Sequence, residues 1–351
     1  MGNAMATRFV GTESSGLSTA GLSIALGIDQ STGGLAEIDW RQVEAIARQI
    51  ASTPDFREFE PASWDDDLFW NVAGNRSERS QFFAVGNSIN FRFWRLEGES
   101  MAPAVGTLDG TTYRGAMYMW RALRRELDRG GGRILDAGFL ATMSESDFDA
   151  IFSDDTGLNP LAIGADDRLA NLRDLGRHLL AEWNGEFLNL LEETGGSLVR
   201  FAELSRGFRA FDDPIFKLTM LNAILLSGSG VFEFRDEPLP AIDYHLLRHA
   251  LRQGMLRPEP RLEQKLKASR LLSGEEALEL RRLALVAFVA IAERTGLSGA
   301  ILDNKFWLNR VNCTDIDPVC LDPATALRCP FYGACIQAVE FPLPLELTRY
   351  Y

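Results

Sequence analysis

The sequence predicts a mainly α-helical protein with one small antiparallel β element, an α+β chain in which helices dominate. Most segments after residue 115 carry apolar residues three and four positions apart, which is the spacing of an amphipathic helix. Between residues 82 and 113 the pattern differs, because apolar and polar residues alternate from Ile89 to Trp94 and Asp109-Gly110 is a strong hairpin-turn signal. The β element is therefore expected there, and helices are expected elsewhere.

Helix boundaries follow from capping residues and from the glycines and prolines that stop helices. Asp39 stands near the start of a helix over 38–51, and Ser144 caps a short helix. Ser273 caps a strong helix that runs to about residue 294. Further helices are predicted at 117–127, 167–180, 187–194, 197–208, 214–226 and 242–256.

The domain organisation is less clearly marked than the helices. A chain of 351 residues has room for about two domains, but no composition shift forces a cut. The Ser/Gly-rich residues 1–35 are typical of a loose tail, which leaves 36–351 as a single unit. Within it we expect an N-terminal lobe, 36–130, that holds the β element. The triple glycine at 130–132 serves as the linker to a helical lobe, 131–351, because it lacks the Lys-Ser/Thr of a phosphate loop.

Charge and hydropathy exclude several classes of partner. The formal net charge of −13 argues against nucleic acid, because duplex binding relies on Lys and Arg that neutralise phosphates. An acidic field favours a small cationic ligand instead. No apolar run reaches the roughly 18–20 residues of a transmembrane helix, and the N-terminus lacks a signal-peptide pattern. We therefore expect a soluble, cytoplasmic protein, a monomer without a membrane or nucleic-acid partner.

The segment 82–94 is the first candidate for a binding site. It begins as an apolar run, breaks at a glycine and ends on three aromatics, and its alternation predicts a half-buried strand. Such a strand offers rings for stacking on a flat ligand and amides for reading its polar edge. An ordinary core strand whose Asn residues cap a turn is the alternative, and the pattern leaves both open. The candidate binding residues are Asn87, Ser88, Asn90, Phe91, Phe93 and Trp94, with Asn90 on the face opposite Phe91 and Phe93.

Asp243 and Lys217 are the strongest candidates for chemistry. Asp243 follows a Pro-Leu-Pro-Ala-Ile segment, which predicts a position at a helix N-terminus, where the dipole favours a carboxylate. The alternative is that Asp243 is an N-cap and nothing more. Lys217 is the only Lys before Lys265 and stands in an apolar helix, which indicates a specific anionic partner or a side chain that snorkels to the surface.

Two histidines share a predicted helix face. His245 and His249 are four positions apart, as metal-binding pairs are. Neither a zincin-type Glu nor a third ligand stands nearby, so the spacing alone does not predict a metal site. With three His in the chain, a His-centred catalyst is not favoured.

All four cysteines lie within 23 residues near the C-terminal end of the sequence. Their pattern is Cys-x6-Cys-x8-Cys-x5-Cys, and its last part is similar to half of the iron–sulfur loop of some helical DNA glycosylases, although the middle gap is longer. The paired short spacings of zinc sites are absent. Metal ligands, disulfides and buried thiols all remain open for Cys313, Cys320, Cys329 and Cys335.

Several motifs, taken in order, resemble the queuosine salvage proteins, which are queuosine 5′-phosphate N-glycosidases. The resemblance runs from about residue 80 to the C-terminal end of the sequence. The segment 87–94 is similar to the family's strand of Asn, aromatic residues and Trp, and 243–245 is similar to its Asp-Tyr-Arg. The matching positions are 87–94, 110–115, Lys217, 243–245, 254–256, 279–281 and 348–351.

The resemblance implies a helical bundle related to the helix-hairpin-helix DNA glycosylases, and cleavage of a base–ribose bond without an organic cofactor. It implies that Asp243 is the catalytic carboxylate, with Lys217 beside it contacting phosphate or ribose. Tyr244 is expected to position the ribose, with His245 next to it in the substrate site. The polar residues of 87–90 are expected to read the base edge, and the aromatics of 91–94 to pack against its plane.

The chain departs from the family pattern at two of these motifs. Leu218-Thr219-Met220 stands where the family has Arg-Ala-Gln, and His245 replaces an Arg. These departures leave a second function class open, a protein that binds a modified nucleotide without cleaving it. A glycosylase acting on nucleic acid is a third possibility, and the net charge counts against it.

Overall fold

The computed structural model describes residues 16–31, 33–53, 56, 66–98 and 100–351. Helices dominate these residues and strands are short, which confirms the predicted class. The helices are α1 (Thr19–Ala25), α2 (Trp40–Ser52), α3 (Arg76–Ser88), α4 (Gly115–Arg129), α5 (Ala137–Thr142), α6 (Glu145–Phe152), α7 (Ala165–Glu182), α8 (Phe187–Glu193), α9 (Leu198–Ser205), α10 (Lys217–Gly228), α11 (Tyr244–Arg252), α12 (Pro260–Lys267), α13 (Gly274–Thr295) and α14 (Gly299–Leu308).

The strands form three antiparallel pairs of two strands each in the described part of the chain. Two pairs are consecutive hairpins, and the turn of the second is Asp109-Gly110, as predicted. Both turn residues have positive φ, 52° and 76°, which is the geometry that matches the twist of a tight hairpin. The third pair joins the two predicted lobes. The strands are β1 (Ala36–Ile38) with β6 (Leu256–Pro258), β2 (Trp94–Glu97) with β3 (Ser100–Pro103), and β4 (Val105–Leu108) with β5 (Thr111–Arg114).

The predicted strand over 89–94 is wrong for most of its length. Residues 76–88 form helix α3, which a capping box of Asn75 and Glu78 begins, and β2 starts only at Trp94. The chain between them turns sharply, because Arg92 has a φ of 39°. Helix α3 is buried on nearly all sides in its second half, so it shows no apolar stripe of helical period. The period-two pattern therefore reflects an irregular buried connection and not a ladder.

The predicted helix starts agree well with the structure elsewhere. Asp39, Ser144, Ser273 and Asp243 all accept hydrogen bonds from the first turn of the helix that follows them. One start is wrong, since the helix predicted at 214–226 begins at Lys217. The helix predicted at 242–256 ends at residue 252, where a turn leads into β6.

The predicted N-terminal tail is partly helical. Residues 1–15 lie outside the described residues, but α1 falls within 1–35 and buries Leu22 against the core. The division into lobes at residue 130 stays a prediction.

Helix α13 lies at the centre of the molecule. Two of the helices that pack against it, α11 and α14, contribute residues to the candidate site. Helix α13 packs against α1, α2, α11 and α14, and most of its residues are buried. No single helix of the described chain is long and apolar enough to cross a bilayer. Within the part of the chain that the structure describes, α13 and the segment Gly299–Val311, bent at 114° to it, pass that test as a pair, by length and composition only.

Candidate active site

A cavity of about 750 Å³ lies where the starts of α10 and α11 meet the end of α14. The connection from α3 to β2 forms one wall, and the start of α4 forms another. Lys217, Asp243 and Asp303 stand on this cavity, together with the aromatic residues of the wall. A volume of this size falls within the range of about 300–1,000 Å³ that small-molecule sites occupy.

Asp243 is buried at the start of α11 and caps that helix. Its Oδ1 accepts hydrogen bonds from the backbone N–H groups of His245, at 2.8 Å, and Leu246, at 2.9 Å. Burial raises the pKa of this carboxyl, while the nearby charge of Lys217 and the two N–H groups act in the opposite direction. The cap thus uses one of the two carboxylate oxygens, and the residue also lines the cavity.

Lys217 is buried at the start of α10 and interacts electrostatically with Asp243. Its Nζ donates to the carbonyl oxygen of Asn90 at 3.2 Å. Burial lowers the pKa of Lys217 to about 8, and the Asp243 carboxylate partly offsets this effect. The residue before it, Phe216, has a φ of 62°, which is a strained conformation for a bulky side chain. The strain lies directly beside the candidate catalytic pair.

A buried ion pair ties the starts of α10 and α11 together. Arg281 of α13 donates two hydrogen bonds to Asp213, at 3.1 and 2.7 Å. Asp213 in turn accepts from the backbone N–H of Lys217 at 2.8 Å, so it supplies the cap that α10 lacks. The Nε of Arg281 donates to the carbonyl of Ile242 at 3.3 Å, directly before Asp243. One guanidinium therefore sets the relative position of the two candidate catalytic residues.

Asp303 of α14 is a second buried carboxyl on the cavity, and the motifs did not reveal it. Its Oδ1 accepts from the backbone N–H of Ala241 at 2.8 Å. Burial raises its pKa to about 7, and the negative charge of Asp243 contributes in the same direction. Asp303 is 60 positions from Asp243 in the sequence, so only the packing of α14 against α11 brings them together.

Phe91, Phe93, Trp94 and Tyr244 give the cavity an aromatic wall. The fully buried Arg168 does not line the cavity but packs against this wall. Its guanidinium lies over the Phe91 ring, at 4.4 Å from the centroid, and donates to backbone carbonyls of the α3–β2 connection, Phe91 among them. Asn90 lines the same cavity, so the predicted separation of Asn90 from the rings onto opposite faces is wrong.

Two of the predicted binding residues do not line the cavity. Asn87 lies in the last turn of α3, where its amide donates to Asn222 at 3.1 Å and accepts from Asn90 at 3.2 Å. Ser88 donates to the carbonyl of Val85 at 2.7 Å, within its own helix. The reason is the helix in place of the predicted strand. Asn87 therefore orients Asn90 through a hydrogen bond without lining the cavity, and the Ser88 side chain bonds only within the last turn of α3.

The two histidines face different cavities. His245 lines the large one beside Tyr244, and burial together with Arg248 lowers its pKa well below the ordinary value, so its imidazole is neutral at neutral pH. His249 faces a small second cavity. In the described ranges, no group of three or more His, Cys, Asp or Glu residues is arranged to hold a single metal ion.

Arg310 is a further cavity residue that the motifs did not include. It follows α14, and its guanidinium lies 3.3 Å from the centroid of the Trp307 ring. Burial lowers its pKa to about 10, while the charge of Asp243 acts in the opposite direction. Lys217 and Arg310 thus bring two cations to a cavity that also holds two buried carboxyls. The arrangement suits a polar substrate with an aromatic part and an anionic part.

Comparison with known proteins places these residues in context. The model of the family described as "Queuosine salvage protein" matches residues 71–219. Two relatives are each named queuosine 5′-phosphate N-glycosylase/hydrolase. The one from Mus musculus is 28% identical over 226 residues, which are 59% of this chain and 65% of the relative. The one from Bos taurus is 26% identical over 167 residues, which are 48% of each chain. The chain thus matches less than two thirds of the length of either relative.

A solved structure also matches, the 8-oxoguanine DNA glycosylase of Pyrobaculum aerophilum with 8-oxoguanosine bound. The TM-score is 0.43 at 14% identity, over 78% of this chain and 90% of that one. The relation to helix-hairpin-helix glycosylases stays a prediction. The segment 87–94 and Lys217 lie inside the region that the family model matches, whereas Asp243 lies outside it. The resemblance that the motifs indicated is confirmed, and the chain is related to the queuosine salvage proteins.

Proposed function

We propose that this protein hydrolyses the N-glycosidic bond of queuosine 5′-monophosphate and releases the 7-deazaguanine base queuine, which becomes available for tRNA modification. The observation that carries the proposal is the buried pair of Asp243 and Lys217 beside an aromatic wall. The names of the two relatives support the same reaction. We further propose that the protein acts in the cytoplasm as a monomer.

The carboxylate of Asp243 stabilises the sugar as the base departs. Breaking the bond leaves an oxocarbenium-like ribose, and a carboxylate beside it offsets the developing positive charge. The attraction is strong in a buried site, because the effective dielectric there is low. Two backbone N–H groups and Lys217 favour the ionised form against the effect of burial. The proposed role uses the ionised form of Asp243, which these three groups favour while burial opposes it.

The chemistry of the leaving base explains why the transition state is stabilised mainly at the ribose. Queuine has carbon where guanine has N7, so an enzyme has no N7 to protonate and the carboxylate supplies more of the stabilisation. The aromatic wall of Phe91, Phe93 and Trp94 packs on the base plane, and Asn90 hydrogen-bonds its edge. The amine of the queuine side chain is cationic near neutral pH, and the acidic residues Asp303 and Asp315 stand on the same cavity.

The anionic end of the substrate requires cations, and the cavity has them. Lys217 lies beside the catalytic carboxylate, so it contacts the ribose phosphate. Arg310 is the second candidate for that contact. Both are largely desolvated, which strengthens a charge-assisted hydrogen bond to a phosphate oxygen.

The direct test is incubation of the purified protein with queuosine 5′-monophosphate, and in parallel with guanosine 5′-monophosphate, followed by chromatography for free base. We expect queuine from the first substrate and no guanine from the second. Intact queuosine 5′-monophosphate together with a raised melting temperature would identify a binding protein and overturn the hydrolase. Release of both bases at similar rates would overturn the proposed specificity.

A further inference from the structure

The four cysteines of the chain converge on the small second cavity. Cys313, Cys320, Cys329 and Cys335 all line it, and each is a free, partly buried thiol. The free volume of this cavity is about 20 Å³, which is room for about one water molecule. No other cysteine exists in the sequence. Four thiols from a 23-residue stretch therefore share one site.

Hydrogen-bond donors surround the sulfurs of this site. The buried Arg252 donates to the Sγ of Cys313 at 3.4 Å, and Asn309 donates to the Sγ of Cys329 at 3.5 Å. The backbone N–H of Gln337 donates to the Sγ of Cys335 at 3.3 Å. Three of the four sulfurs thus receive N–H bonds, and one of the donors is a cation. N–H bonds to sulfur are a feature of iron–sulfur sites.

The segment that carries the cysteines has little apolar core of its own. Only short turns of 3-10 helix occur between residues 309 and 328. Ile316 and Leu327 are exposed by more than 80%. The buried apolar side chains of the segment 309–337 are Pro318, Ala326 and Phe331. A loop of this kind gains its order from a cross-link or a bound metal more readily than from burial.

The geometry selects among the possible metals. The described residues contain no group of three or more ligands close enough to hold a single ion, which argues against a mononuclear zinc site. In an iron–sulfur cluster each thiolate binds its own or a shared iron, and inorganic sulfide fills the centre. The four sulfurs of such a site are therefore further apart than those around one ion.

We propose that Cys313, Cys320, Cys329 and Cys335 hold an iron–sulfur cluster. On binding, each thiol releases its proton to solvent and its sulfur bonds to iron, so no electron transfer is required when ferrous iron, ferric iron and sulfide are all supplied.

The cluster orders one wall of the large cavity. Arg248 of α11 pairs with Asp315 at 2.8 Å, and Arg252 donates to the carbonyl of Thr314 at 2.7 Å. Asp315 and Arg310, on either side of Cys313, line the large cavity. Binding at the cysteines therefore fixes two residues of the candidate active site without contact with the substrate.

The test measures iron and sulfide, and it does not depend on turnover. The full chain is incubated without oxygen with ferrous iron, ferric iron, sulfide and a thiol reductant, then desalted. We expect bound iron and acid-labile sulfide in equal amounts, a visible sulfur-to-iron charge-transfer band and a raised melting temperature, because the cluster binds the folded state. The Cys320→Ser variant loses most of the iron and sulfide and the shift in melting temperature. Asp243→Asn is the matched control, and it binds as much iron as the wild type.

Three results would overturn the cluster. One is a wild-type chain that binds no iron and sulfide while its circular dichroism shows a folded protein. The second is zinc bound without sulfide. The third is equal iron in the wild type and in a variant with all four cysteines changed to serine, which would place the metal elsewhere. Should Cys320→Ser fail to fold, Cys313→Ser provides the same comparison at the first of the four cysteines.

Discussion

Helices α10 and α11 both begin at the candidate active site, and they begin in opposite ways. Helix α11 starts with a carboxylate, Asp243, which caps it and agrees with the helix dipole. Helix α10 starts with a cation, Lys217, which opposes the dipole, and it follows a residue with positive φ. It relies on an external cap from Asp213, which is held by Arg281.

The two helices differ in whether the residue that caps the helix is also the residue that faces the cavity. At α11, one residue both caps the helix and faces the cavity, so a substitution that keeps the cap removes the charge alone. At α10, the functional residue and the cap are different residues, so the cap can be broken with Lys217 intact. The predictions at Asp213 and Lys217 test this separation.

The largest effect on folding is expected at the cap of α10. Asp213→Ala leaves the guanidinium of Arg281 buried without its partner, and breaking such a pair lowers the free energy of unfolding by about 3–5 kcal/mol. The measurement is urea unfolding followed by circular dichroism. The neighbouring Asp212 is exposed, and Asp212→Ala is the matched control, with a change within about 0.5 kcal/mol. Similar losses in the two variants would remove the special role of the Asp213–Arg281 pair.

Lys217→Ala is expected to lower kcat/KM for the phosphorylated substrate more than for the free nucleoside. The difference is roughly ten- to a hundredfold, because a charge-assisted hydrogen bond contributes about 1.5–3 kcal/mol. Lys265→Ala removes a lysine remote from the cavity and serves as the control. Equal losses on nucleotide and nucleoside would contradict the phosphate contact.

The pH dependence provides an independent test of Lys217. Its folded pKa of about 8 lies below the ordinary value of 10.5, so the cation is lost as pH rises through about 8. We expect kcat/KM for the nucleotide to fall above that pH, with a smaller fall for the nucleoside. The same shift means that burial of the charged Lys destabilises the fold below about pH 8, and that this penalty disappears as pH rises from about 8 to 10.5. A nucleotide profile without this limb would contradict the assignment.

A smaller effect is expected from Asp303→Asn. The amide keeps an oxygen for the N–H of Ala241 but removes the carboxyl whose pKa burial and the charge of Asp243 raise to about 7. A change of kcat/KM near pH 7 that comes from Asp303 is therefore absent from the variant. The measurement is the full pH profile of variant and wild type. A change near pH 7 that persists unaltered in the variant would show that Asp303 does not cause it.

The smallest effect is expected at the end of α3. Ser88→Ala removes a hydroxyl bonded within its own helix, so it leaves KM unchanged and lowers stability by about 1 kcal/mol at most. Asn90→Ala is the matched comparison, because Asn90 lines the cavity, and it raises KM. A raised KM in Ser88→Ala would show that Ser88 affects substrate binding after all.

Local signals in the sequence predicted much of the fold. The caps at Asp39, Ser144, Ser273 and Asp243 are residue choices with a local physical cause, and all four predictions are correct. Helix α3 was missed because burial on all sides removes the stripe that periodicity detects. Its capping box, an Asn three residues before a Glu, was the signal to use.

The candidate site was only partly predictable, because half of it is assembled by packing. Asp243 and Lys217 stood out by local context, since one follows a proline-rich helix start and the other is an isolated cation. Asp303 and Arg310 arrive through the docking of α14 against α11, which no local pattern encodes. The support by Arg281 and Arg168 is similarly remote in sequence, since both bond to segments more than 30 residues away.

Asp243→Asn tests the central claim most directly, that the carboxylate at the start of α11 acts on the sugar. Asn is a good N-cap, so the variant keeps its melting temperature and still binds queuosine 5′-monophosphate. Base release is measured by chromatography and binding by calorimetry on the same preparation. We expect release to fall on the order of a thousand-fold with the dissociation constant little changed. Full release by a folded Asp243→Asn protein would contradict the account.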